Sequence, residues 1–145
     1  MTMVFVSLPV TDLERAKAFY TAVGLTFNPV MSDHNAACFV VEEDHSFVML
    51  MTREFFQTFS DLPLGDPKQS PYTSLSIYLE SREAVDATAA AGLEAGASEP
   101  RPASDYGFMY QRGLTDHDGN VIEFGWFDPT AGVPQAEPET ADAQA

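Results

Sequence analysis

"TDLERAKAFYTAVG", residues 11–24, changes the period of the chain and sets its fold. The preceding "MVFVSLPV" (3–10) is rich in Val and Phe and alternates as a strand does. From Leu13 the apolar residues fall instead at helical spacing: Leu13, Ala16, Phe19, Tyr20 and Val23. Thr11 and Glu14 read as a capping box, and Gly24 stands where a left-handed residue would end the helix. Three strands are expected next, "LTFNPVM" (25–31), "AACFVVE" (36–42) and "SFVMLMT" (46–52), separated by the polar breaks "SDHN" and "EEDH". A strand, a helix and three strands make a βαβββ unit.

The same order then recurs. "YTSLSIYLE" (72–80) reads as a strand, and "SREAVDATAAAG" (81–92) as a helix with Ser81 as cap and Gly92 as stop. "ASEPRPAS", "YGFMYQRGLT" and "NVIEFGWF" supply three further strands, the proline-bearing first of them short or at an edge. The helix ends "AVGL" and "AAGL" coincide when Gly24 is laid on Gly92, so the repeat is visible mainly as element order. The expected fold is α+β: two βαβββ modules, at about 1–52 and 72–128, forming a cupped, half-barrel-like mixed sheet. A connector, 53–71, carries Phe55, Phe56 and Phe59 on one side of a short helix before a Pro/Gly-rich loop. Residues 129–145 read as a disordered acidic tail.

The formal charge of −15 limits the partners. Four acids (Asp128, Glu137, Glu139, Asp142) lie from residue 128 onward, which leaves −11 on the remainder. Such a surface repels nucleic acid and anionic lipid, both of which are held by Lys and Arg. No run approaches the roughly 20 apolar residues of a membrane helix, and the N-terminus has no basic segment that would mark a signal peptide. The expected location is the cytoplasm. The single cysteine, Cys38, cannot form an internal disulfide and reads as a buried, inert thiol.

Two stretches, "LPVTDLERAKAFYTAVGL" (8–25) and "DHDGNVIEF" (116–124), resemble the vicinal oxygen chelate superfamily, the glyoxalase, bleomycin-resistance and extradiol-dioxygenase group. His117 stands where that group usually has proline. In members that use a metal, the resemblance implies four ligands: a His or Gln on the first strand of each module and a Glu on the last. The corresponding positions here are Phe5, Leu50, Tyr72 and Glu123, and only Glu123 matches. Phe and Leu cannot coordinate a cation, and one carboxylate does not build a metal site. His34, His45 and His117 sit in turns between strands. No cofactor is expected; a divalent metal would require ligands from a second chain.

Glu123 then needs another partner, because an unpaired buried carboxylate costs several kcal/mol. A two-residue turn at Asp118-Gly119 would set Leu114 opposite Glu123 and bring Arg112 onto the same face, diagonal to it. A three-residue loop would shift the parity and turn Arg112 away. The first arrangement is the working expectation. In "DYGFMYQR", Tyr106, Phe108 and Tyr110 share one parity, and Met109 and Gln111 the other.

The ligand-lining residues expected are Phe5, Ser7, Leu50, Tyr72, Tyr110 and Arg112, with Glu123 and Tyr110 as candidate catalytic groups. The leading reading is a small-molecule protein acting as a metal-independent lyase or isomerase, with Glu123 as base and Arg112 or a tyrosine holding the developing oxyanion. Drug or metabolite sequestration, as in bleomycin-resistance proteins, is the alternative. A metal-dependent glyoxalase or dioxygenase is the second. A homodimer is expected in each case.

Overall fold

The computed structural model describes residues 1–131. The first module comprises β1 (Val4–Val10), α1 (Leu13–Ala22), β2 (Thr26–Asn28), β3 (Ala36–Glu42) and β4 (Ser46–Thr52). The second comprises β5 (Ser74–Tyr78), α3 (Arg82–Glu94), β6 (Ser104–Asp105), β7 (Met109–Thr115) and β8 (Val121–Phe127); between them lies α2 (Arg53–Gln57). The class is α+β, and the duplicated βαβββ order is the one the sequence predicts. The strands form two mixed four-stranded sheets, ordered β1-β4-β3-β2 and β5-β8-β7-β6. In each, the first strand runs parallel to the last and the remaining pairs are antiparallel. No helix among the described residues is long and apolar enough to cross a membrane. Most of the acidic tail, residues 132–145, lies outside the described residues.

Local chemistry corrects two details and bears out a third, the short edge strand expected of the proline-bearing segment. The N-cap of α1 is Asp12, whose carboxylate accepts from the Arg15 amide at 3.0 Å. Thr11 faces the other way, its amide and hydroxyl both donating to Asp118 Oδ1 at 2.9 and 2.8 Å. Gly92 does not end α3, which runs on to Glu94. A Cβ there would come within 2.6 Å of Leu114 and 3.1 Å of Val23, so glycine lets α3 pack close to β7 and to the end of α1. The turn that does end α3 uses Gly96, at φ +103°. "ASEPRPAS" makes only a bridge at Ser98 and the two-residue β6. Its two prolines cannot donate to a ladder.

Both sheets bury one face against the helices in a single core. Leu8, Val10, Val48, Leu50 and Phe39 from the first module meet Phe19 and Tyr20 of α1. Val85, Leu114, Ile122 and Phe124 join them from the second.

One turn fastens the halves together. Asp116 is buried, and its carboxylate accepts from the Tyr20 hydroxyl (3.0 Å), the Asp118 and Asn120 amides (2.9 Å each) and Asn120 Nδ2 (3.0 Å). Asn120 Nδ2 also donates to the Pro9 carbonyl at 3.3 Å. No buried side-chain polar atom is left without a partner among the described residues. Burial, reinforced by Asp116, holds the Tyr20 hydroxyl well above its ordinary pKa.

Replacing Asp116 with Ala strands several buried donors and is expected to lower unfolding stability by about 3 kcal/mol, read from the urea midpoint. Tyr20→Phe removes one of four bonds, for about 1.5 kcal/mol. Because the folded chain holds the Tyr20 proton more tightly than the unfolded chain, stability should fall as pH rises above 10. Tyr20→Phe should flatten that fall.

Candidate functional site

Each sheet has a second face that the helices do not cover, and strand alternation decides which residues it carries. In the second module the alternation is clear on β5: Leu75 and Ile77 pack against the core, leaving Ser74, Ser76 and Tyr78 on the open face. The parallel register pairs Ser76 with Glu123 and Tyr78 with Gly125. Glu123 is half-buried, and its Oε2 accepts from the Ser76 hydroxyl at 2.8 Å. On its other flank Gly113 stands opposite it on β7.

The Tyr78 ring lies over Gly125, where a Cβ would come within 2.6 Å of it, and stacks on Phe127 with ring centroids 4.7 Å apart. Gln111 Nε2 donates to the Tyr78 hydroxyl at 2.7 Å. A groove of about 300 Å³ runs beside these groups, lined by Glu123, Gln111, Ser104 and the 100–102 segment, with Arg101 on its wall.

Arg112 is not part of this face. The turn is a three-residue loop: Asp116 N–H donates to the Asn120 carbonyl at 3.0 Å, and Gly113, not Leu114, opposes Glu123. Arg112 therefore pairs with Phe124 and emerges on the helix side. There it grips Glu99 with two bonds of 2.9 and 2.8 Å and reaches Asp86 of α3 at 3.1 Å. Tyr110 shares that side and donates to Asp86 at 2.7 Å, so neither residue reaches Glu123 from its strand position. The Arg112 guanidinium holds Glu99 below its usual pKa, and the bond from Tyr110, then that from Arg112, does the same for Asp86. The bond to Asp86 raises Tyr110 in turn.

The first module has a comparable open face. Ser7 and Phe5 lie on it, Phe5 stacked on Phe47 with centroids 4.7 Å apart. Leu50 does not: it is fully buried against the helices, and the β4 residue paired with Ser7 is Met49. Laying the helix caps Asp12 and Ser81 on each other brings Ser7 onto Ser76, which makes Met49 the counterpart of Glu123. Tyr72 is 67% exposed in the segment before β5, outside the strand. Cys38 is buried, and burial pushes its thiol pKa up.

The four matched positions thus hold two serine hydroxyls, a thioether and one carboxylate. That donor set does not suit a resident zinc, which takes three or four His, Cys or carboxylate ligands. No group of three or more His, Cys, Asp or Glu that could hold a metal occurs among the described residues. Sequence reasoning missed Met49, Ser76, Tyr78 and Gln111. The alternation in "SLSIY" carried the signal for Ser76 and Tyr78. For the loop length the signal was Asp116, placed to accept amides two and four residues on.

Comparison with known proteins agrees with this architecture. Residues 2–42 match the family model described as "Bleomycin resistance protein-like N-terminal". No curated protein matches the sequence. A glyoxalase/bleomycin resistance protein/dioxygenase family enzyme from Burkholderia phytofirmans superposes with a TM-score of 0.68 at 20% identity, over 85% of this chain and 96% of that one. A glyoxalase/bleomycin resistance protein from Albidiferax ferrireducens gives 0.65 at 24% identity, over 86% and 97%. TnmS3, an antibiotic binding protein from a Streptomyces species, gives 0.61 at 21% identity, over 86% and 95%. The chain shares its fold with these glyoxalase/bleomycin resistance protein/dioxygenase structures, and the sequence match to the bleomycin resistance protein-like N-terminal model is confined to residues 2–42.

Arg112→Gln is expected to cost about 1–3 kcal/mol by leaving Glu99 and Asp86 without their cation. Both carboxylates are depressed when folded, so their contribution is present above the usual carboxylate range and is lost as pH falls through it. The variant's stability should depend less on pH below 5 than the parent's.

Proposed function

We propose that the open face around Glu123 binds a small organic cation with a flat apolar body, and that the protein acts by holding this molecule rather than by transforming it. The observation that carries the reading is Glu123 itself. It is a half-buried carboxylate whose one protein partner among the described residues is the Ser76 hydroxyl, and it sits on the same face as the Tyr78–Phe127 stack. An ionised carboxylate has about four acceptor positions. Those left open favour a charged donor, while the aromatic pair offers stacking and burial to an apolar body.

The lyase or isomerase reading requires an oxyanion-holding group on the face of Glu123. Arg112, held by Glu99 and Asp86, and Tyr110, held by Asp86, are both committed on the helix side, so neither of the groups that reading relies on faces Glu123, which supports binding instead. The antibiotic-binding protein TnmS3 shares the fold and is consistent with that choice. The apolar stacks Phe5–Phe47 and Tyr78–Phe127 lie on two separate sheets. A homodimer in which a second copy covers the Phe5–Phe47 stack is part of the proposal.

A thermal-shift screen of antibiotics and cationic metabolites should yield stabilising ligands that carry an amine or guanidine. Glu123→Gln should weaken them by about tenfold or more. Turnover of a bound compound that is lost in Glu123→Gln while affinity is kept would overturn sequestration in favour of catalysis. A monomer mass in sedimentation at working concentration would remove the dimer.

A further inference from the structure

Cations are scarce in this chain: seven Lys and Arg against 22 Asp and Glu. Three of them are committed to ion pairs, Lys17 with Glu14, Arg82 with Asp105, and Arg112 with Asp86 and Glu99. Of the four without an ion pair among the described residues, three line one pocket of about 360 Å³: Arg15, Arg53 and Lys68. His117 lines it as well. The three arrive from different places, the first turn of α1, the start of α2 and the connector, so sequence proximity does not explain their meeting.

Two of the three are held by hydrogen bonds of their guanidinium groups, and the third is placed by its backbone. Arg15 Nη2 donates to the Thr11 hydroxyl at 3.3 Å, and Arg53 Nη2 to the Gly65 carbonyl at 3.1 Å. The Lys68 backbone presses on the turn, where a Cβ on Gly119 would come within 2.9 Å of its nitrogen. Two acids, Asp66 and Asp118, also line the pocket, each with one oxygen taken by a neighbouring amide or hydroxyl. Asp118 Oδ1 takes both Thr11 donors and Asp66 Oδ1 takes the Lys68 amide. Neither forms an ion pair with the cations. Three cations against two carboxylates leave the pocket net positive in an otherwise acidic chain, which favours an anion there.

We propose that this pocket, at the junction of the two modules, is a second binding site, specific for a phosphate-type oxyanion. Three cations on three elements suit a tetrahedral anion with oxygens on several sides better than a planar carboxylate, which one guanidinium can satisfy. Lys68 and His117 also line an adjoining hollow of about 580 Å³, bounded by Pro67, Pro71 and Pro100. The ligand class is therefore a small phosphorylated molecule, its phosphate on the cations and its uncharged part in the hollow. The site is independent of Glu123.

Calorimetric titration of the full chain with inorganic phosphate, at constant ionic strength, tests it. Saturable one-to-one binding is expected, with acetate weaker by about tenfold. Lys68→Gln, on an exposed loop, should weaken phosphate about tenfold, and Arg53→Gln/Lys68→Gln further still. Lys17→Gln removes an equal charge from elsewhere on α1 and should change affinity by less than about twofold. Glu123→Gln should leave phosphate binding intact, which separates this site from the cation site. Non-saturable heats, equal affinity for acetate, or the same loss in Lys17→Gln as in Lys68→Gln would overturn the proposal.

Discussion

The structure depends on one buried carboxylate. Asp116 accepts four hydrogen bonds, three from its own turn and one from Tyr20 of the opposite module. An unsatisfied charge at that depth would be costly, so the turn has little freedom to adopt another length or position. Asn120 and Asp118 extend the same tie to Pro9 and Thr11 at the end of β1. The turn thereby does two jobs: it docks the second module against the first, and it fixes the register of β7 on β8.

That register decides which chemistry meets the open face. With Gly113 opposite Glu123, the odd-numbered residues of β7 share its side and Tyr110, Arg112 and Leu114 go under α3. Arg112, Tyr110, Asp86, Glu99, Arg82 and Asp105 then form a partly buried network between helix, strand and loop. Arg82 lies 5.1 Å from the centres of both the Tyr110 and Trp126 rings, and its two bonds hold Asp105 down to about 2. The network is what an arginine and a tyrosine do when a one-residue change in loop length sends them to the helix side. A lone glutamate remains on the other.

Much of this was legible in the sequence. The period switch at Leu13, the repeated element order and the spans of β3 and β4 follow from alternation and turn residues, which are local properties. What failed depended on partners distant in the chain. Asp12 rather than Thr11 caps α1 because Thr11 is drawn to Asp118, 107 residues away. Gly92 reads as a helix stop but serves close packing against Leu114. Leu50 and Met49 are both apolar, so neighbouring residues on β4 could not be assigned to faces by hydrophobicity; the pairing with Ser7 and Leu8 on β1 does that. The Arg112 side was a question of loop length, and the loop length was set by hydrogen bonds of a side chain.

The internal repeat sharpens the reading of the open faces. Ser7 and Ser76 are equivalent, yet one faces a thioether and the other a carboxylate. A metal would need donors from both modules, and the first contributes a soft, neutral sulfur and a hydroxyl. The pair of faces is therefore polarised: one apolar, with Phe5, Phe47 and Met49, the other apolar at one end and anionic at Glu123. Of the cations without an ion pair among the described residues, Arg15, Arg53 and Lys68 lie at the module junction and Arg101 on the wall of the Glu123 groove. In a chain this acidic, where the few positive charges go is as informative as where the negative ones do, because each one left without an acid foregoes an available partner.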